Sequence, residues 1–244
     1  MLRLMAAGCV LALGLLPALA DDAKPNPAVK KLNRDIPRHK EFLKRIEKSK
    51  GEGDVIFLGD SITHGWEGNA KAWKEYFGAF KPVNLGIGGD QTGHVLWRIT
   101  DGKELENLNP KAAVIMIGTN NTGGYTAEQI AGGIKAIVEE LKKQKPNIKV
   151  LVLGVFPRGN RNDADKETKT IPAEKLNKKI AAINAIISKL DDGKQVFYKD
   201  IGKEFLNKDG GLPGEIMPDY LHLSGKGYAI WGKAIQGDIE KLVK

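Results

Sequence analysis

The chain of 244 residues has one cysteine, Cys9. Were the first twenty residues removed, no disulfide could brace the remainder, and stability would rest on the hydrophobic core. Long apolar runs are scarce too. The longest, Leu4 to Leu16, spans roughly 13 residues, short of the ~20 that a membrane-spanning helix needs. With Arg3 before it and Ala18-Leu19-Ala20 after it, ahead of Asp21-Asp22, the run reads as a secretory signal peptide. Cleavage would leave a secreted or periplasmic protein without a stable membrane span. Ala6-Ala7-Gly8-Cys9 resembles a lipoprotein attachment site but comes too early, before most of the apolar run.

Other absences remove function classes. No Walker A pattern occurs. Gly86, Gly88 and Gly89 lack the third glycine of a dinucleotide-binding turn and the acidic residue about twenty positions on. Neither a basic patch with interleaved aromatics nor a nucleic-acid motif is present, so no nucleic-acid partner is expected. Only Asp219 and His222 stand close together as metal-ligand types, so no metal site is expected. Ser61 does not sit in a G-x-S-x-G elbow, because Thr63 replaces the last glycine, which disfavours the fold that uses one.

What is present fits one domain: 41% hydrophobic residues over this length supply one substantial core. The chain divides into residues 1–20, the signal-like segment; 21–50, a polar, Pro-containing lead from Asp21 to about Pro37 followed by a basic helix; and 51–244, the domain proper. The formal charge is +8, and removing Arg3 leaves 37 basic against 30 acidic residues, +7. Much of the excess lies in Lys30 to Lys50, where Phe42, Leu43 and Ile46 form the apolar stripe of a solvated amphipathic helix, the alternative being contact with an anionic surface.

Apolar runs at Val55 to Leu58, Val83 to Leu85, Ala112 to Ile117, Val150 to Val155 and Val196 to Tyr198 predict five strands. Helical spacing predicts helices over Thr126 to Lys143 and Ala173 to Leu190, with another after Ser224 and a loop over Arg158 to Lys169. Strands alternating with helices imply crossovers, hence a mainly parallel sheet covered on both faces. Ligands of such sheets bind outside the carboxyl ends of the strands. Three of those ends are distinctive: Gly59-Asp60-Ser61, Gly86-Ile87-Gly88-Gly89-Asp90 and Gly118-Thr119-Asn120-Asn121.

Ser61 by itself admits two readings, a helix N-cap and a nucleophile. A serine nucleophile needs an imidazole base, and the imidazole needs a carboxylate to fix its tautomer. Of the four histidines, His39, His64 and His94 show no plausibly placed carboxylate on their own short segments. His222 follows Asp219 by three residues, in a loop before the last helix. Acyl transfer also requires donors for the developing oxyanion; the Gly89 N–H and the Asn120 amide could serve, or both could be ordinary turn residues.

Taken in order, Gly59-Asp60-Ser61-Ile62, Gly89, Gly118-Thr119-Asn120-Asn121 and Asp219-Tyr220-Leu221-His222 resemble the four sequence blocks of the SGNH (GDSL-type) hydrolases. Within that family the chain resembles the brain-type platelet-activating factor acetylhydrolase catalytic subunits, from about Asp54 to Tyr228. The resemblance implies a flavodoxin-like three-layer α/β/α sandwich around a mainly parallel five-stranded sheet. It also implies ester hydrolysis without metal or organic cofactor. By position, Ser61 would be nucleophile, His222 general base and then acid, and Asp219 its orienting carboxylate. The Ser61 and Gly89 N–H groups and the Asn120 side chain would form the oxyanion hole. Ile62, Thr119 and Leu221 match positions that crowd the acyl pocket, which implies a short acyl group on a small ester, acetylated glycan or lipid. The brain subunits are cytosolic, lack a signal peptide and carry a basic residue where this chain has Gly93, so their partners and substrate do not carry over. They dimerise, which leaves a homodimer open here. The competing reading outside enzymes is a catalytically silent, secreted carbohydrate-binding module on the same fold.

Overall fold

The strands are β1 (Val55–Gly59), β2 (Pro82–Gly86), β3 (Ala112–Met116), β4 (Lys149–Leu153) and β5 (Val196–Lys199). The uninterrupted apolar runs of β1 and β3 are buried on both faces, while the edge strands β2 and β5 each keep three half-buried positions. All pair in parallel in the order β2-β1-β3-β4-β5, with Leu58 of β1 opposite Leu85 on one side and Ile115 on the other. The computed structural model describes residues 25–159 and 173–244. The signal-like segment with Cys9, and the Arg158 to Lys169 stretch beyond Gly159, lie outside the described residues.

Seven α-helices are found among the described residues: α1 (Pro37–Lys48), α2 (Ser61–His64), α3 (Ala70–Phe77), α4 (Thr92–Ile99), α5 (Ala127–Gln144), α6 (Ala173–Ile187) and α7 (Gly225–Val243). The period-2 alternation of side chains along each strand divides them between two cores. Ile56, Leu58, Ala113, Ile115, Val150 and Val152 face α1, α4, α5 and α6. Val55, Phe57, Val114 and Leu151 face the opposite way, onto Phe77 of α3 and Trp231 and Ile235 of α7. The result is the three-layer sandwich expected. Among the described residues no helix is long and apolar enough to cross a membrane.

The element boundaries have identifiable reasons. The polar lead gives way to the basic helix at Pro37, where it was expected to end; the proline's fixed φ and missing N–H suit the first helical turn. The helix buries His39, Phe42 and Ile46 while Leu43 stays half-buried. Ahead of it, residues 26–36 lie over the sandwich. Ala28 O accepts from Thr92 Oγ1 at 2.7 Å, and Leu32 N donates to Gly93 O at 3.0 Å. A Cβ on Gly93 would stand 2.3 Å from Lys30 O, so the lead passes there only because position 93 is glycine. Helix α5 starts one residue late because Thr126 is its cap, in a reciprocal box with Gln129. Helix α6 stops at Ile187, and a single 3₁₀ turn continues to Leu190. The sequence reading did not separate out α3 and α4, each eight residues long.

Candidate active site

The carboxyl ends of β1, β2 and β3 meet at the topological switch point, where neighbouring connections depart to opposite faces of the sheet. At the end of β1 it is Asp60, not Ser61, that caps α2: its Oδ1 accepts from Ile62 N at 2.9 Å. The N-cap reading of Ser61 is thereby corrected, and its hydroxyl is left free for another partner. The second oxygen of Asp60 has no hydrogen-bond partner among the described residues. Complete burial lifts the Asp60 carboxyl from its ordinary 3.8 to about 7; the Ile62 N–H opposes this shift, and nearby Asp90 adds to it.

The partner of Ser61 is His222, Nε2 to Oγ at 2.8 Å, across 161 positions of sequence. On the other side of the ring, Nδ1 lies 2.6 Å from Asp219 Oδ2. Asp219 also shapes the loop: its Oδ1 accepts from Leu221 N at 3.1 Å and His222 N at 2.7 Å, folding the chain so that both side chains point one way. Between them Tyr220 adopts the left-handed φ of 57° and is exposed. Its carbonyl is held by Gly159 N at 2.8 Å. Partial burial would raise the Asp219 carboxyl, but the hydrogen bonds and charge of His222 outweigh it, so the group sits below its ordinary range and stays ionised. A proton can therefore pass from the serine hydroxyl to an imidazole whose opposite nitrogen faces a carboxylate.

Gly89 takes φ +80°, a backbone state that side chains disfavour. Among the described residues neither its N–H nor that of Ser61 meets a hydrogen-bond acceptor. The Asn120 Nδ2 donates to Asp90 O at 2.9 Å, and Gln91 Nε2 donates to Asn120 O at 3.2 Å, so β3's loop is tied to β2's. Ile62 and Leu221 are both buried in the α3/α7 core; Thr119 is buried too, its Oγ1 accepting from Arg158 Nη1 at 3.2 Å. Beside Tyr220 a cavity of about 470 Å³ is lined by Arg158, Asn177, Leu206 and Leu212, among others.

The other histidines have different occupations. His94 Nδ1 accepts from Gln91 N at 2.9 Å in the cap of α4, and burial, helped by Arg34 and Arg98, lowers it to about 4. His39 is buried, its Nδ1 2.8 Å from Glu104 Oε1. His64 does have a carboxylate on its own segment, contrary to the sequence reading: Glu67 Oε2 lies 3.6 Å from Nε2. Glu67 is also gripped by both terminal nitrogens of Arg38, at 3.1 and 2.9 Å.

A buried ionic chain escaped the sequence reading. Asp90 Oδ2 accepts from Arg98 Nε at 2.9 Å, Arg98 Nη1 bonds Glu104 Oε2, and Asp90 Oδ1 accepts from Arg34 Nε at 2.7 Å. Burial pushes the Asp90 carboxyl upward while Arg98 and Arg34 pull against it. The one local hint was Asp90 itself, a charge set directly after two glycines.

Residues 57–230 match the GDSL-like lipase/acylhydrolase family. The chain is 38% identical over 215 residues to platelet-activating factor acetylhydrolase IB subunit alpha2 of Gallus gallus, covering 88% of this chain and 84% of that one. Among solved structures it resembles a GDSL-like lipase from Bacteroides thetaiotaomicron, with a TM-score of 0.66 at 23% identity, over 83% of this chain and 97% of the other. It also resembles Est24, a carbohydrate acetylesterase from Sinorhizobium meliloti, with a TM-score of 0.59 at 19% identity, over 78% and 100%. At those identities the two structures speak to the fold.

Proposed function

The chain belongs to the GDSL-like lipase/acylhydrolase family and is a carboxylic ester hydrolase; from that premise we propose that it removes short acyl groups, acetyl above all, through Ser61, His222 and Asp219. The observation that carries this reading is the hydrogen-bonded chain from Ser61 Oγ through His222 to Asp219. Ser61 Oγ attacks the ester carbonyl carbon as its proton moves to His222 Nε2. The C–O bond to the alcohol breaks, and His222 returns the proton to the departing oxygen. Water, deprotonated by the same nitrogen, then attacks the acyl-serine and releases the acid and the free hydroxyl. Negative charge on the carbonyl oxygen is met by the Ser61 and Gly89 N–H groups and the Asn120 amide.

The acetyl preference is supported by the tight burial of Ile62, Thr119 and Leu221, and by the name of the 38%-identical relative. The alcohol half we assign to the cavity beside Tyr220. Residues 1–20 we assign to export, so that a protein beginning at Asp21 works outside the cytoplasm; N-terminal sequencing of exported protein tests this.

Hydrolysis of p-nitrophenyl acetate by the wild type and its loss in Ser61→Ala are expected. A wild type that cleaves no small ester would favour the silent binding module instead. A higher kcat/KM on the octanoate than on the acetate ester would refute the short-acyl pocket. Acetate release from acetylated xylan, acetylated monosaccharides and an acetylated ether phospholipid identifies the alcohol.

A further inference from the structure

The lead ahead of α1 reaches the candidate site through one side chain. Arg34 Nη2 donates to Gly88 O at 2.6 Å and Arg34 Nε donates to Asp90 Oδ1 at 2.7 Å. A single planar guanidinium thus bonds the residues on both sides of Gly89 and spans it. The far oxygen of Asp90 is anchored by buried Arg98, and the main-chain oxygen of Asp90 receives the Asn120 amide. Both loop donors of the oxyanion site therefore lean on the same three residues, 88 to 90.

We propose that Arg34 is a positioning residue for the oxyanion site: its two-point bond across Gly89 holds the Gly89 N–H and, through Asp90, the Asn120 amide at fixed spacing. This rests on the assignment of Gly89 and Asn120 as oxyanion donors. Glycine is the residue with most backbone freedom, and a donor that must reorganise during reaction loses most of its electrostatic worth. A guanidinium fork offers two N–H groups in one plane, which suits the simultaneous bonds to a carbonyl and a carboxylate; lysine offers a point charge and cannot reproduce that geometry. The lead is accordingly part of the working site although it precedes the first strand, and its course past Gly93 brings Arg34 into reach.

The experiment compares Arg34→Ala, Arg34→Lys and Lys31→Ala in the chain beginning at Asp21. Lys31 lies on the same lead but, among the described residues, its side chain makes only an exposed pair with Asp101 at 2.7 Å, so its loss disturbs the lead without touching Gly89. Both Arg34 variants are expected to lower kcat on p-nitrophenyl acetate by roughly tenfold to a hundredfold, with KM within about twofold and with partial rescue of Arg34→Ala by methylguanidine. Lys31→Ala should match wild type. A kcat for Arg34→Ala within about threefold of wild type overturns the proposal. So does a loss that merely follows the unfolded fraction at the assay temperature while Arg34→Lys stays fully active. A second readout needs no activity: the Asp90 N–H, bonded to Ile87 O at 3.2 Å, should exchange with solvent at least about tenfold faster in Arg34→Ala, and unchanged exchange refutes the clamp. Wild type silent on every ester, with exchange faster in the variant, would refute the esterase reading alone.

Discussion

Asp60 and Ser61 are chain neighbours put to opposite uses. The serine hydroxyl faces His222, while the aspartate is entirely buried and spends one oxygen on capping α2. Well below pH 3.8 the Asp60 carboxyl is protonated in both the folded and the unfolded chain. As pH rises the unfolded chain ionises first, near 3.8, and the folded one only at about 7. The contribution of this group to stability is therefore full in acid and declines between those values, by up to ~4 kcal/mol. Urea titrations at pH 5 and pH 8 should show Asp60→Asn losing less stability across that interval than wild type; an equal loss would mean that Asp60 ionises normally. For Asp219 the expected change is kinetic. Asp219→Asn keeps the two main-chain bonds within reach but removes the charge opposite His222 Nδ1, and kcat should fall by roughly 10⁴ with little change in melting temperature. At this scale the sequence was legible where partners are close, as in Asp219 and His222 three positions apart. It was silent on Arg34 and Asp90, 56 positions apart, because no local pattern announces a long-range ion pair.

Elements were legible in proportion to their length and regularity. Helix α5 shows its apolar stripe over eighteen residues, and α6 over fifteen. Helices α3 and α4 are too short for the period to stand out. The end of the lead was legible because Pro37 marks it: the lysines run on into α1, but the proline sets the first helical turn. The cap of α5 offers a clean test. Thr126 and Gln129 satisfy two first-turn donors reciprocally, and neither bonds Ser61, His222 or Asp219 among the described residues. Thr126→Ala should lower unfolding free energy by about 1 kcal/mol and leave kcat on p-nitrophenyl acetate unchanged.

The whole molecule is a parallel sheet whose central strands are dry. Every residue of β1 and β3 is buried, whereas β2 at the edge keeps three half-buried positions. Hydrogen exchange should therefore be slowest in β1 and β3 and faster in β2, and the reverse order would contradict the strand order. That architecture was readable in outline, since uninterrupted apolar runs alternating with helices admit few arrangements. That one loop before the last helix could present both Asp219 and His222 to the end of β1 was readable; the turn that Asp219 makes with its own main chain was not.

The 161 positions between Ser61 and His222 have a consequence in time. Nothing local can bring these two atoms together: β1 must find its neighbours, and the loop carrying Asp219 and His222 must fold against its end. Hydrolysis through Ser61 and His222 would then report the joining of two distant loops, and a fragment lacking either loop should stay silent. Regain of esterase activity during refolding should lag behind the return of helical signal, and the interval between them is the time the distant loop takes to arrive.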